Sequence, residues 1–273
     1  VSKKVKIGFI GCGNMGEAII KALLTKKVFR PSEVVIHEPD LNRSKKIKKK
    51  FKIQSLHSNA ELVRQAQIIL LAVKPQQMTA VLTEISPHIT SKHLLLSIAA
   101  GLDTNYFSHH LPSHTRLIRI MPNMGMMIGE GASALYATPA ASRQDRTSAM
   151  KIFSAGGHAV FVNREELLDT VTAISGSGPA FVFFFMQALL EAGASLNLPQ
   201  ELGKELVTQT LLGAAKIALS SPETLPTLIS KIASKGGTTE AGLDVLEQKG
   251  FKQIILETVT KAAQRAKELR CTS

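Results

Sequence analysis

Cysteine is scarce in this chain: there are two in 273 residues, Cys12 inside a glycine-rich turn and Cys271 near the far end. A bridge between such distant positions is not expected, and two unpaired thiols suit a reducing cytoplasm. Long apolar runs are missing as well. The longest strongly apolar stretch, Phe181 to Leu190, has Gln187 inside it and is too short to cross a bilayer, so no membrane partner is expected. Nor is a signal peptide expected, because Val1-Ser2-Lys3-Lys4 leads straight into an apolar strand pattern. No internal repeat or low-complexity segment interrupts the sequence. With 44% hydrophobic residues the chain can build real cores, which excludes disorder. Its length suits one large or two ordinary domains.

Acidic residues are also in deficit, 21 against 33 lysines and arginines, for a net charge of +12. Arg43, Lys45, Lys46, Lys48, Lys49, Lys50 and Lys52 crowd into ten residues. Basic clusters neutralise nucleic-acid phosphates, but only Phe51 interleaves this one, so bases would find no stacking platform. A solvated helix face is the favoured reading, with no nucleic-acid partner. The charge can still attract an anionic substrate and cofactor.

The most informative stretch is Lys6-Ile7-Gly8-Phe9-Ile10-Gly11-Cys12-Gly13-Asn14-Met15-Gly16. Its apolar run reads as a buried parallel strand that turns at Gly11-x-Gly13 into a helix with Ala18, Ile19, Ala22 and Leu23 facing the core. In a dinucleotide-binding turn the first glycine makes the tight bend. The second lets a pyrophosphate approach bare backbone, and the third lets helix and strand pack closely. The helix N-terminus adds amide donors and a positive dipole end. Glu38 stands 22 residues past Gly16, at the end of a second predicted strand, Glu33–His37, where such folds place the acid that bonds ribose hydroxyls. Glu38 alone favours NADH; Arg43 and Lys45 nearby argue for NADPH, and the choice stays open.

Further predicted strands, Gln67–Val73, Leu94–Ile98 and Arg116–Ile120, end at Lys74-Pro75-Gln76, Ala99-Ala100-Gly101 and Met121-Pro122-Asn123. Ligands of open parallel sheets lie outside the carboxyl ends of the strands, and the small residues at 99–101 would let a flat ring approach. Asn59 is the expected cap of an intervening helix. Ala132–Ala137 and His158–Val162 read as closing strands around a helix, Ser142–Ser154. From Arg164 onward helical periodicity takes over. The expected architecture is an α/β, Rossmann-type doubly wound sheet over 1–163 followed by an all-α dimerisation domain over 164–273. The predicted helix Ala180–Leu196 is apolar nearly all round and needs cover on every side, which a second subunit would supply. Ser234-Lys235-Gly236-Gly237-Thr238-Thr239 precedes a predicted helix at Glu240 and reads as a carboxylate receptor, its amides converging and Thr238 or Thr239 capping the helix or touching ligand.

Gly11-x-Gly13-Asn14-Met15-Gly16, Ala72-Val73-Lys74-Pro75, Ser97-Ile98-Ala99-Ala100-Gly101, Met121-Pro122-Asn123, Ser175-Gly-Ser-Gly-Pro-Ala180 and Gly236-Gly-Thr-Thr239 occur in this order, followed by Leu243-Asp-Val-Leu246-Glu247 and Gly250-Phe251. Together they resemble the pyrroline-5-carboxylate reductases over essentially the whole chain. One departure is Lys235, where the family usually has proline. The resemblance implies reduction of 1-pyrroline-5-carboxylate to proline by NADPH or NADH, a homodimer through the helical domain, and in many members a ring of dimers. It further implies that Gly11, Gly13, Asn14, Met15 and Gly16 hold pyrophosphate and that Val73, Lys74 and Pro75 border the ribose and nicotinamide side. Ala99, Ala100, Met121, Pro122 and Asn123 would flank the nicotinamide. Ser234, Gly236, Gly237 and Thr238 would meet the substrate carboxylate, and the Thr239 hydroxyl the ring nitrogen. No metal is expected.

The enzyme runner-up is a hydroxyacid or 6-phosphogluconate-type dehydrogenase. Those enzymes carry a lysine six residues after the first glycine of a G-x-G turn; counting from Gly176 gives Val182. A carbonyl needs a general acid as hydride arrives, whereas an imine can be protonated beforehand and needs mainly positioning. Outside hydride chemistry, the chain could be a nucleic-acid-binding protein using Arg43–Lys52 or a catalytically idle nucleotide sensor.

Overall fold

The structure, a computed structural model, describes residues 5–271. The Val1–Lys4 stretch, on which the expectation about a leader rests, lies outside them, as does the side chain of Cys271; Cys12 is a free, buried thiol.

Among the described residues eight strands form one sheet: β1 (Ile7–Ile10), β2 (Val34–His37), β3 (Gln54–Ser55), β4 (Ile68–Leu71), β5 (Leu94–Ser97), β6 (Arg116–Met121), β7 (Gly131–Ala137) and β8 (Gly157–Phe161). Their order is β3-β2-β1-β4-β5-β6-β7-β8. The first six run parallel, β7 is antiparallel to β6, and β8 is parallel to β7. β1, β4 and β5 read IGFI, IILL and LLLS, apolar on both faces, as strands covered on both sides must be. Successive residues feed opposite cores. Phe9 and Leu70 pack with Ile19, Ile36 and Phe153 on one face, while Ile10 and Leu71 pack with Leu62, Leu82 and Phe107 on the other.

The crossovers are α1 (Asn14–Thr25), α2 (Leu41–Phe51), α3 (Asn59–Gln65), α4 (Pro75–Ile85), α5 (Thr104–His110) and α6 (Arg143–Ser154). Ala18, Ile19, Ala22 and Leu23 of α1 are buried as predicted. The basic cluster lies on α2 and just past its end, with Lys45, Lys46, Lys48 and Lys49 exposed. The cap of α3 is a correction. Ser58, not Asn59, accepts the Glu61 amide at 3.1 Å. Either residue type can cap, and the Ser58-x-x-Glu61 spacing decides in favour of serine. Asn59 moves inside the first turn and donates to Glu84 at 2.6 Å.

The described residues divide into two compact units, one comprising 5–177 with 261–271 and the other Gly178–Thr260. The second is entirely helical: α8 (Gly178–Ser195), α9 (Gln200–Ser220), α10 (Leu225–Ile232), α11 (Thr238–Gln248) and the first turns of α12 (Phe251–Cys271). In the first unit, α7 (Leu167–Val171) runs through a π-helical turn at Thr172–Gly176 toward α8. Leu167–Ser195 is therefore one helical run of 29 residues with a mean hydropathy of 1.5, long and apolar enough to cross a membrane by length and composition. This corrects the expectation that no segment reaches that length. The π-helical turn carries the chain through Gly176 to Ser177, and α8 starts at Gly178 with Pro179 in its first turn, a position where the missing N–H costs nothing. No residue of α8 is buried within the single chain; Phe183 is 58% and Phe184 76% exposed. Apolar surface on this scale marks an interaction face.

Candidate active site

The carboxyl ends of β2, β1 and β4 are stitched together: the Gly11 amide donates to the His37 carbonyl at 2.9 Å and the Ala72 amide to the Ile10 carbonyl at 2.8 Å. Strand order reverses direction between β1 and β4, and such a switch point opens a crevice for ligand. Gly11 bends with φ +81, and a β-carbon there would stand 2.7 Å from Val73 Cγ1. At Gly13 a β-carbon would meet nothing within 4 Å, so the turn presents bare backbone to open space. Gly13 also caps α1, with no side chain bonded to the helix start. Gly16 sits close under the turn, its imagined β-carbon 3.1 Å from the Gly11 carbonyl. Asn14 and Met15 open α1, and Pro75 opens α4 behind Lys74. Gly11, Gly13, Glu38, Val73 and Lys74 line one cavity of about 780 Å³, together with Arg43 and Asn59.

Glu38 is pinned at this cavity. One carboxylate oxygen accepts the Cys12 amide at 2.8 Å and the other the Asp40 amide at 3.2 Å. Arg43 holds the same peptide region: its Nε donates to the Cys12 carbonyl, and its Nη2 lies 3.4 Å from Asn14 Oδ1 and 3.3 Å from Glu17. The Lys50 ammonium, hydrogen-bonded to Glu17 at 2.8 Å, holds that carboxyl below its ordinary pKa. Burial, and then the charge of Glu38, push the Cys12 thiol far above its usual range. It stays a neutral, unreactive packing group. Asn59 Oδ1 is buried without a hydrogen-bond partner.

The strand-end loops farther along the sheet are arranged differently. Ala99 is buried and Ala100 exposed. With Met121 they border a second cavity of only about 40 Å³, closed by Leu168, Ala266 and Leu269, room for water rather than for a pyridine ring. Pro122 is buried. The Asn123 side chain accepts the Gly125 and Ala132 amides at 3.1 and 3.0 Å and donates to Ser175 at 3.3 Å, so it braces the loop. Below it lies a charged cluster that the sequence pattern did not announce. Arg119, inside β6 and 5% exposed, pairs with Glu165, which also accepts the Thr104 amide at 2.7 Å. Asp169 pairs with Arg270 at 3.4 Å, and burial raises the Asp169 pKa against the opposing pull of Arg270 and Arg119. The one signal in the sequence was an arginine in the middle of an otherwise apolar strand.

In the helical unit, Ser234–Gly237 forms a turn closed by the Gly237 amide on the Ser234 carbonyl at 2.9 Å. Helix α11 starts at Thr238, earlier than expected, with Gly237 as its cap and no side-chain cap bond. The expected capping by Thr238 or Thr239 is thereby corrected: both lie inside the first turn, where their own hydroxyls are past the capping position. Glu240, unanticipated, reaches back to accept the Gly236 amide at 2.7 Å. One amide of this turn thus already receives a carboxylate. Thr239 is half-buried, and Ser234, Lys235, Gly236 and Thr238 are exposed.

A dinucleotide fits the first unit. The backbone at Gly13 is open where pyrophosphate must approach, an uncapped helix N-terminus faces the turn, and Asn59 Oδ1 is an orphan acceptor at the cavity wall. Among the described residues no group of three or more His, Cys, Asp or Glu is placed to hold a metal.

Comparison with known proteins points the same way for both units. Residues 165–269 match the family described as pyrroline-5-carboxylate reductase dimerisation, and 6–101 match NADP oxidoreductase coenzyme F420-dependent. The pyrroline-5-carboxylate reductase of Pseudomonas aeruginosa is 37% identical over 264 residues, 97% of this chain and 96% of that protein. The solved structure of a pyrroline-5-carboxylate reductase from Coxiella burnetii superposes with a TM-score of 0.93 at 32% identity, covering 97% of this chain and 98% of that one. A Plasmodium falciparum pyrroline carboxylate reductase with NADP bound gives 0.87 at 31% identity, covering 99% and 100%. On this full-length similarity, the chain belongs to the pyrroline-5-carboxylate reductase family.

Proposed function

We propose that this protein reduces 1-pyrroline-5-carboxylate to L-proline with NAD(P)H. The observation that carries the reading is the crevice between β1 and β4, where a glycine with nothing within 4 Å of its β-position opens onto the cavity shared by Glu38 and Lys74. When bound, the reduced nicotinamide supplies the hydride. In this reading Gly11, Gly13, Asn14, Met15 and Gly16 hold the pyrophosphate, Glu38 the adenosine ribose, and Val73, Lys74 and Pro75 the nicotinamide side. Ala99, Ala100 and Met121–Asn123 flank the ring, which rests on the exposed side of Ala100 because the cavity behind it holds only about 40 Å³. Ser234, Gly236, Gly237 and Thr238 bind the substrate carboxylate through backbone amides and hydroxyls, exchanging it for the Glu240 carboxylate at Gly236. Thr239 bonds the ring nitrogen and holds the imine in register for hydride delivery.

The absence of a lysine at Val182 supports an imine over a carbonyl substrate, since a carbonyl would need a general acid as its oxygen gains charge. The cofactor role is assigned to residues 1–163, whose last strand ends at Phe161. The substrate and dimerisation role goes to 164–273, supported by the family match beginning at 165. Because that match includes the whole apolar run Leu167–Ser195, the run is read as subunit interface rather than membrane anchor. A cytoplasmic homodimer, extended into a ring of dimers, is the assembly proposed. Loss of nicotinamide absorbance on mixing the purified protein, 1-pyrroline-5-carboxylate and NADPH or NADH tests the reaction. No turnover with either cofactor would refute it.

A further inference from the structure

We infer that Glu38 makes the cofactor site select NADH over NADPH. The inference rests on the NAD(P)H reading above and settles the question that Glu38 and Arg43 pose together. Both residues line the same cavity, and what separates them is their commitments. The Glu38 carboxylate is held at the end of β2 by the Cys12 and Asp40 amides, at 2.8 and 3.2 Å. Two amides fix its position yet leave a carboxylate, with about four lone-pair sites, able to accept more hydrogen bonds. Unesterified ribose hydroxyls are donors and suit it. A 2′-phosphate brings only acceptors and close to two negative charges, and would meet a fixed like charge.

Arg43 is engaged elsewhere. Its guanidinium holds the Cys12 carbonyl and lies 3.3 Å from Glu17, which also pairs with Lys50 at 2.8 Å. Turning Arg43 to a phosphate would give up these contacts. Lys45, the second cation close to Glu38 in sequence, is exposed on α2 and does not line the cavity. On the remaining wall Asp40 caps α2 through the Asn42 and Arg43 amides and Glu84 holds Asn59 and the Ala60 amide. The lysine of the lining, Lys74, stands past β4 on the side assigned above to the nicotinamide. The selectivity is thus built from fixed acceptors, and Arg43 serves to brace the glycine turn.

Direct binding of NADH and of NADPH to the full-length protein, measured by calorimetry without substrate, tests this on wild type, Glu38→Gln and Arg43→Ala. Glu38→Gln keeps an acceptor for the Cys12 amide while removing the charge. Wild type is expected to bind NADH about 10- to 100-fold more tightly than NADPH, the scale of one like-charge contact in partly screened surroundings. Glu38→Gln is expected to bring the two affinities within about threefold, weakening NADH through the lost charge-assisted ribose hydrogen bonds and strengthening NADPH through the lost repulsion, while a melting curve like that of wild type shows that the fold is intact. Arg43→Ala is expected to weaken both nucleotides alike. Tighter NADPH binding by wild type, an unchanged ratio in Glu38→Gln, or an Arg43→Ala defect confined to NADPH would overturn the inference while leaving the reductase reading standing. Binding of neither nucleotide would overturn the cofactor reading itself, and this inference with it.

Discussion

A β-carbon on Gly11 would stand 2.7 Å from Cγ1 of Val73, whereas one on Gly13, two residues on, would meet no protein atom within 4 Å. The same turn is thus closed against the sheet at one glycine and open toward the cavity at the next. Substitution should separate stability from binding. Gly11→Ala, at φ +81 and in contact, is expected to cost about 1–3 kcal/mol in denaturant unfolding. Gly13→Ala should leave the unfolding midpoint unchanged and weaken NAD(P)H binding by about tenfold or more, since a β-carbon there meets no protein atom and would take the space proposed for the pyrophosphate. Equal effects of both on stability would contradict the packing.

The Thr239 hydroxyl has no capping duty in α11, so its removal should be silent in folding. Thr239→Ala is expected to lower kcat/KM by about 10- to 100-fold, or ~1.4–2.8 kcal/mol, the range of one hydrogen bond to a charged group. Steady-state kinetics beside a melting curve checks both halves. Unchanged kinetics would remove Thr239 from the site.

Arg119 and Glu165 form the most deeply buried ion pair among those described, with side chains 6% and 13% exposed. Arg119→Met leaves Glu165 with Thr104 alone and should destabilise the protein by about 3–5 kcal/mol, the cost of stranding a buried charge. A loss below about 1 kcal/mol would mean that water reaches the carboxylate, as at an exposed pair.

Phe184 is 76% exposed in the single chain, which a subunit interface explains. Phe184→Asp should weaken self-association by about 2–4 kcal/mol per interface anchor, read by light scattering across a concentration series. Wild type running as a monomer at every concentration would remove the interface account of α8.

Glu33 supplies a pH test. Hydrogen bonds from the Arg30 side chain and amide, and from Lys6, lower its pKa from 4.5 to about 2. The folded state therefore binds fewer protons than the unfolded one between these values. Stability from Glu33 is present in full above 4.5 and is lost as pH falls toward 2. Glu33→Gln should flatten the acid limb of a stability–pH curve in that window and leave its slope near neutrality unchanged.

The elements that sequence made legible are those whose information is local. The strand-turn-helix at Ile7–Gly16, the apolar strands β4 and β5, the helical texture after Arg164 and the position of Glu38 at the end of β2 follow from period, apolar runs and glycine chemistry. The failures have equally definite causes. Capping at Ser58 over Asn59 depended on which of two adequate residues found the Glu61 amide. The π-helical turn at Thr172–Gly176 kept the chain helical ahead of the predicted helix start at Ala180, through glycines whose local pattern carries no such signal. Glu165 on Arg119 and Thr104 joins residues 46 and 61 positions apart that no spacing encodes, whereas Glu240 on the Gly236 amide is a local first-turn contact hidden only because the helix was expected to start at Glu240 rather than Thr238.

Sequence by itself determined that a dinucleotide-type sheet precedes an all-helical segment, because that is written in short-range pattern. Only tertiary structure decided what each charge does: Glu38 fixed at the cavity by two amides, Arg43 drawn to Cys12 and Glu17, Arg119 buried against Glu165. Sequence carries a charge's sign, but its partners, and hence its effect on a ligand, depend on distances of a few ångströms that only the folded chain sets.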